Sequence, residues 1–215
     1  MQDKERQKTR EKASLEAAVA EAFQEGEDVD SLSFLEEDLS ETDLSGLTFR
    51  NCYFVRCRLE SCRLQGSFFV NCSFTDSDLS NCRANRLSIT GTVFTGCKLM
   101  GLSLPEGYLS RVQIRDCAGA YCNLSGAKLS QVEISHTDLS GASLSACRLS
   151  RVVLEGCCLK GAELHNTVFS GMDLSSDDLS GILITGTELR GAKVTLFQAA
   201  ELGRLLAGVH ISSNV

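Results

Sequence analysis

The sequence predicts an all-β solenoid in which the chain turns a corner once in every five residues. From Phe34 to Val194, every residue whose number ends in 4 or 9 is large and apolar, except Ala84 and Gly119. The position two residues earlier is mostly small or β-branched, and the position two residues later is Gly 13 times and Asn four times. The unit is therefore small–polar–large–Ser–Gly, with a turn-forming residue in every repeat.

A period of five residues fits neither a helix nor a flat strand. On an α-helix, steps of five residues advance by roughly 140°, which would spread the large residues round the whole axis. On a flat strand, an odd step places alternate large residues on opposite faces. A corner in each unit resolves both conflicts, because the large residue and the small residue two before it then both point inward. Gly and Asn supply the backbone conformation that such a bend requires.

Ten of the 11 cysteines occupy the small inward position, and we expect them to be buried free thiols that pack as small apolar groups. Their spacing follows the repeat and lacks the pattern of a zinc site. Cys158 falls on an outward position and is the candidate reactive thiol. The ten inward residues are Cys52, Cys57, Cys62, Cys72, Cys82, Cys97, Cys117, Cys122, Cys147 and Cys157.

Several units resemble the A(D/N)LXX consensus of the pentapeptide-repeat family. They include CNLSG at 122–126, TDLSG at 137–141, AELHN at 162–166 and TELRG at 187–191. The resemblance covers roughly residues 32–194 and implies a right-handed quadrilateral β-helix with four units per coil, about eight coils in all. Residues 20 apart would then stack, which places Phe34, Phe54, Phe74 and Phe94 in one ladder.

Residues 1–31 are predicted to form a charged tail and a capping helix. In the segment 13–24, Leu15, Val19 and Phe23 recur at helical spacing, and Gly26 is a stop signal. We expect this helix to cover the first coil, because an open solenoid end exposes unpaired strand edges.

Residues 195–215 break the period and are predicted to form a helix over 196–207 and a short strand at 209–211. The arrangement resembles the C-terminal module of the Qnr/MfpA-like branch of the family, which implies a tip-to-tip homodimer. A monomeric cap is the alternative. The residues predicted to form the dimer interface are Leu183, Phe197, Leu202, Leu205, Leu206, Val209 and Ile211.

The middle of the repeat is irregular. Pro105 and Gly107 interrupt one unit, and Gly119 replaces a large residue, so we expect a thinner core there. The frame is kept throughout, so no long loop is inserted. This departs from plasmid-type Qnr proteins, whose activity is tied to loops that project from the coil.

The sequence favours binding over catalysis, with no cofactor and no metal ion expected. It contains no phosphate loop, GxSxG or HExxH motif, and its three histidines are scattered. The net charge of -7 disfavours direct binding of nucleic acid. The first 12 residues are charged and no apolar run could cross a membrane, so we expect a cytoplasmic protein.

The acidic residues lead to two functional hypotheses. Those predicted to bind a partner gather towards the C-terminal half, whereas arginines crowd the early coils. The resemblance implies a DNA-mimicking dimeric rod that binds DNA gyrase or topoisomerase IV and protects it from inhibitors such as quinolones. The alternative is a generic protein–protein interaction scaffold with no topoisomerase role, which the nearly balanced charge of the repeat favours. The predicted partner-binding residues are Asp138, Glu163, Asp173, Asp177 and Asp178.

Overall fold

The computed structural model describes residues 14–208, which form a parallel β-solenoid flanked by two helices. Helix α1 spans Leu15–Glu25 and helix α2 spans Leu196–Ala207, and neither of these described helices is long and apolar enough to cross a bilayer. The strands are β1 Val29–Asp30, β2 Ser33–Leu35, β3 Thr48–Arg50, β4 Tyr53–Val55, β5 Phe68–Val70, β6 Ser73–Thr75, β7 Ser88–Thr90, β8 Val93–Thr95, β9 Tyr108–Arg115, β10 Lys128–Ser135, β11 Arg148–Ser150 and β12 Val153–Glu155.

Each strand pairs in parallel with the strand one coil further along the chain. The partners are 20 residues apart, as in Phe34↔Phe54 and Phe54↔Phe74, which confirms four five-residue units per coil. The 12 strands occupy about six turns, fewer than the eight coils expected from the sequence. The difference arises because the last coils keep the same register through single bridges, the last being Asp173↔Lys193.

The coil has four sides, which we label A to D in chain order. Because the chain visits them in turn, side A lies opposite side C, and side B opposite side D. Side A contains residues 48–50, 68–70, 88–90, 108–110, 128–130 and 148–150, and side B contains 53–55, 73–75, 93–95, 113–115, 133–135 and 153–155. Side C contains the bridges from Asp38↔Arg58 to Cys158↔Asp178, and side D those from Asp43↔Arg63 to Glu163↔Leu183.

The backbone at each corner adopts the left-handed conformation whatever residue occupies it. From Ser31 to Gly171, every fifth residue has a φ between 48° and 80°, and 19 of these residues are not glycine. The sequence signal from Gly and Asn identified the bend but missed that Arg, Glu, Gln and His adopt it too. A backbone bond to the next coil fixes the conformation: the amide of Glu36 donates to Val55 O at 2.9 Å, and that of Arg56 to Thr75 O at 2.9 Å. Strain at a non-glycine corner is offset because the stacked coil over-determines the backbone.

The large residues fill the interior as predicted. Phe34, Phe54, Phe74 and Phe94 form one ladder, with ring centroids 5.1, 4.4 and 4.8 Å apart in succession. These spacings are typical of tilted and offset-stacked rings. Near Gly119 the missing side chain leaves an apolar cavity of about 40 Å³, which confirms the thinner core in the middle of the coil.

The small inward residues do more than fill space, because they satisfy backbone groups that the strands leave unpaired. The amide of Cys57 donates to Ser77 Oγ at 3.0 Å, and that of Cys147 to Thr167 Oγ1 at 2.8 Å. The thiol of Cys62 donates to Leu39 O at 3.0 Å. All ten inward cysteines are buried, as predicted. A small residue with a hydroxyl or thiol group suits this position because buried polar groups need partners.

Helix α1 covers the start of the core. Ser14 caps its first turn, Gly26 ends it with a φ of 71°, and Leu15 and Val19 are buried in the same cluster as the first coil. The prediction that Phe23 is on this apolar face was wrong, because Phe23 is 52% exposed and Ala22 takes the buried place. A helix places residues three, four and seven apart on one face. Ala22, seven residues after Leu15, therefore lies on the buried face, whereas Phe23, eight residues after it, is turned further towards solvent.

Helix α2 is anchored to the last coil by one buried glutamine. Thr195 and Gln198 form a reciprocal capping box, and Gln198 Nε2 donates to Leu174 O at 2.9 Å and to Asp177 O at 2.7 Å. Val209 and Ile211, two of the predicted interface residues, lie outside the described residues.

We expect the paired residues Phe68 and Phe69 to respond differently to truncation. Phe69 is 1% exposed and stacks on Phe49 at 5.2 Å, so Phe69→Ala should lower the free energy of unfolding by about 3–5 kcal/mol. Phe68 is 46% exposed on side A, so Phe68→Ala should cost less than about 1 kcal/mol. Urea unfolding followed by circular dichroism measures both. Equal losses for the two variants would contradict the inward assignment.

Candidate partner-binding surfaces

The acidic residues predicted to bind a partner do not form one cluster. Asp138 and Asp178 lie in one column on side C, two coils apart. Glu163 lies on side D. Asp173 lies on side B, where its carboxylate is 2.6 Å from Lys193 Nζ. Because sides B and D face away from each other, only Asp138 and Asp178 share one outward surface.

Asp177 is not on the surface, so its prediction as a contact residue was wrong. Its number places it at the small inward position, and it is only 5% exposed. Oδ1 accepts the amide of Cys157 at 2.7 Å, whereas Oδ2 has no hydrogen-bond partner among the described residues. Burial raises the pKa of this carboxyl, because it disfavours the charged form. Ser, Thr or Cys fills the equivalent place in several earlier coils and can also donate a hydrogen bond.

The carboxylates on side C have a structural task as well as a charge. Asp138 accepts the amide of Ser140 at 2.9 Å, and Asn123 accepts that of Ser125 at 2.9 Å in the same way. The hydroxyl and amide of Ser180 lower the pKa of Asp178. Asp or Asn therefore recurs before the large residue because its oxygen caps the amide two positions later. The half-buried thiol of Cys158 lies between Asp138 and Asp178 in this column.

The early arginines do not make a free basic surface, because most of them are paired. Six of the seven ion pairs among the described residues join side chains 20 apart, so that opposite charges stack in neighbouring coils. Such exposed pairs contribute little stability each, but they neutralise the side on which they lie. The pairs in the early coils are Arg50 with Asp28, Arg56 with Glu36, Arg58 with Asp38, Arg63 with Asp43 and Arg86 with Glu106.

The C-terminal end of the coil exposes an apolar surface. Phe197 is 72% exposed, and Leu205, Leu206 and Leu183 are also exposed, whereas Leu202 is half-buried against the core. Leu196, which the sequence did not single out, is 89% exposed at the first turn of α2. Single exposed apolar residues are ordinary, but several of them at one end of the coil make that end a candidate interaction site. We call these five exposed residues, Leu183, Leu196, Phe197, Leu205 and Leu206, the apolar end.

Glu188 holds the chain at residues 185–187, close to the apolar end, and the sequence did not predict this role. It stands at a position that is outward elsewhere, yet it is buried and accepts the amides of Asn166, Thr185, Gly186 and Thr187 at 2.8 to 3.2 Å. Burial alone would raise the pKa of Glu188, but hydrogen bonds from Thr185 and the backbone outweigh it and lower the pKa to about 2. The sequence did contain a sign of this role, because Glu188 directly follows Thr185-Gly186-Thr187, where the regular turn pattern fails.

Residues 14–208 bring together no group of three or more His, Cys, Asp and Glu side chains that could hold a metal ion. The inward thiols of Cys147 and Cys122 stay protonated at neutral pH, because burial raises the pKa of Cys147 to about 11 and that of Cys122 to about 12.

Comparisons with known proteins agree with this arrangement. The family model for a pentapeptide repeat region matches residues 87–164, and the model for pentapeptide repeats (8 copies) matches 38–76, 52–86 and 147–186. Pentapeptide repeat protein MfpA from Mycobacterium tuberculosis is 33% identical over 73 residues. That match covers 34% of this chain and 40% of the length of MfpA.

Two solved structures are similar at lower identity. QnrB1, a plasmid-mediated fluoroquinolone resistance protein, is 23% identical in a trypsin-treated variant form; the match covers 87% of this chain and 91% of that chain, with a TM-score of 0.41. HetL, a protein involved in heterocyst differentiation regulation in Nostoc, is 17% identical over 81% of this chain and 92% of its own, with a TM-score of 0.32.

We expect Asp177→Thr to stabilise the protein at neutral pH. Threonine accepts and donates at this position in an earlier coil, where Thr137 Oγ1 accepts from Cys117 N at 3.3 Å and donates to Ser135 O at 2.9 Å. The gain should be about 1 kcal/mol, or about 2–4 °C in Tm. Because the pKa of Asp177 is raised in the folded state, its charge costs stability above that pKa, and the cost disappears as the pH falls. The advantage of the variant should therefore shrink between pH 7 and pH 4, and a constant difference would contradict this account.

Glu188→Gln should have the opposite effect. It removes a carboxylate that accepts four amides, so we expect a loss of about 2–3 kcal/mol at pH 7 by thermal unfolding. Since the pKa of Glu188 is lowered in the folded state, its contribution is complete above the unfolded value and is lost as the pH falls towards about 2. Glu163→Gln, an exposed change on side D, is the matched control and should leave Tm nearly unchanged. A Glu188→Gln variant as stable as this control would show that the amides do not need the charge.

Proposed function

The chain belongs to the pentapeptide-repeat family, and on that premise we propose that it is a non-enzymatic dimeric rod that binds DNA gyrase or topoisomerase IV in place of DNA. The carboxylates of Asp138 and Asp178 on side C carry this proposal. Both are exposed, and no cation of the described chain lies within 4.0 Å of them; Lys160, on the same side, acts on Asp178 from a longer distance. A rod with negative charge along one side is complementary to a basic DNA-binding surface. Protection of the enzyme from quinolones would follow.

A second copy of the chain is the partner that best fits the apolar end. The exposed side chains of α2 and Leu183 lie at one end of the rod, so a two-fold contact would bury them and join two rods. Dimerisation doubles the length of the rod and sets two copies of side C in one particle. Sedimentation equilibrium should give twice the monomer mass, and Leu196→Ser with Phe197→Ser should give the monomer mass. A monomeric wild-type protein at micromolar concentration would contradict the dimer.

The alternative function, an interaction scaffold with no topoisomerase role, is supported by other observations. The predicted acidic residues point from three different sides, Asp173 is paired, and Asp177 is buried, so the negative surface is narrower than the sequence indicated. The regular Asp–Ser hydrogen bond also explains why acidic residues recur without any binding role. In this case the protein would bind another partner through a different side.

A supercoiling assay with purified gyrase and ciprofloxacin tests the first function. We expect micromolar protein to restore supercoiling, and Asp138→Asn with Asp178→Asn to reduce the effect about tenfold. Asparagine keeps the hydrogen bond to the backbone, as Asn123 does, and removes only the charge. Asp38→Asn with Asp43→Asn is the control, because it removes the same charge at the other end of the rod, where both carboxylates are paired.

The outcomes separate the two functions. No binding and no rescue by the wild-type protein would end the topoisomerase proposal and leave the scaffold. Wild-type activity in both double variants would show that negative charge on side C is not what the enzyme recognises. Loss in both would point to the overall charge rather than to one side of the rod.

A further inference from the structure

Side A has a basic surface opposite the carboxylates of side C. Lys128 and Arg148 are direct neighbours on the paired strands β10 and β11, and Arg111 and Arg151 occupy the corner that follows side A. All four side chains are exposed. We call these four residues the basic patch.

The patch departs from the charge pattern of most of the coil. On side D, Arg63 is also stacked on Arg83, but there Arg63 is paired with Asp43. Elsewhere a cation is usually stacked one coil from an anion, as the six ion pairs with a 20-residue separation show. In the patch, Lys128 is stacked on Arg148, and the corner column reads Arg111, Gln131, Arg151. No carboxylate of the described residues lies within 4.0 Å of any of the four cations. Like charges on adjacent strands repel, so this arrangement costs stability unless a partner supplies the anions.

Side A itself adds hydrogen-bond donors around the patch and no negative charge, whereas Glu133 and Glu155 lie on the adjoining side B. Ser110, Ser130 and Ser150 form a column of hydroxyl groups on the same side, and Tyr108 is exposed beside Lys128. The residues of side A and its corner at 108–111, 128–131, 148–151 and 168–171 include no Asp or Glu. Glu106, just before this side, is already paired with Arg86 at 3.3 Å.

We propose that the basic patch binds a short acidic segment of a partner protein, a run of Asp and Glu residues. Its size favours such a ligand: Arg111 and Arg151 are two coils apart, about 10 Å, and Lys128 lies about 10 Å along the strand from the corner. Guanidinium groups bind carboxylates through two parallel hydrogen bonds, so a few side chains of an acidic peptide can satisfy the four cations.

A nucleic acid fits the patch less well. A duplex is longer than the patch and would extend over Glu133 and Glu155 on the adjoining side B. The net charge of -7 also repels a long polyanion, whereas a short peptide interacts mainly with groups within a Debye length. The patch and the carboxylates of side C face opposite ways, so an acidic partner can bind whether or not a topoisomerase occupies side C.

Fluorescence anisotropy with a fluorescein-labelled octa-glutamate peptide tests the proposal on the full chain. We expect saturable binding at about 50 mM NaCl that is lost at about 500 mM, because the contact is electrostatic. Lys128→Ser with Arg148→Ser should weaken binding at least about fivefold. Arg56→Ser with Arg58→Ser is the matched control: it removes the same charge from two paired arginines and should change affinity less than about twofold.

A second double variant tests the patch without any change in strands β10 and β11. Arg111→Ser with Arg151→Ser alters only corner residues, and serine already adopts this backbone conformation at Ser31 and Ser61. It should weaken peptide binding as much as the strand variant, with circular dichroism and Tm close to the wild type. Peptide binding by both patch variants at wild-type strength would overturn the proposal. So would a wild-type protein that binds a 20-base-pair DNA duplex and fails to bind the peptide.

Discussion

The backbone bond between stacked corners is the constraint on which the whole molecule depends. At most bends an amide donates to a carbonyl of the next coil, as Glu36 does to Val55 and Asn51 to Val70, and at Asn166 the acceptor is the carboxylate of Glu188. This bond requires a left-handed backbone at every fifth residue, whatever the side chain. Once the bend is fixed, the large and small residues must point inward, and residues 20 apart must stack. The side chains at the corner and beside it are then free to carry charge.

The interior could be predicted from the sequence because one period controls it. Burial of Phe34, Phe54 and Cys52 follows from their numbers alone. Failures occurred where a local contact overrides the period. Glu188 turns inward to collect amides, and Phe23 lies one residue outside the buried stripe of α1. Asp177 was assigned by its charge although its position was inward. The basic patch was missed because its residues are distant in sequence and meet only through stacking.

The outer surface differs from side to side although the interior is uniform. In the early coils, most cations are paired with an anion one coil away, although Arg63 is also stacked on Arg83. In the later coils such pairs are fewer: Asp138, Lys160 and Asp178 lie on side C, and the cations of the basic patch lie on side A and its corner. The apolar end follows directly after these coils. Three surfaces of different chemistry therefore lie in the later half of the rod, whereas most of the ion pairs lie in the earlier half.

Because the stacking is fixed, insertions and deletions in the chain can rotate or shift one part of the rod relative to the other only in defined steps. Loss or duplication of one five-residue unit would keep the core pattern but turn everything beyond it by a quarter revolution, so that side A would continue into what had been side B or D. A change of 20 residues would restore the alignment and move the two halves by about 4.8 Å along the axis. The angle between two binding surfaces and the distance between them can thus change in separate steps during evolution, without any redesign of the interior.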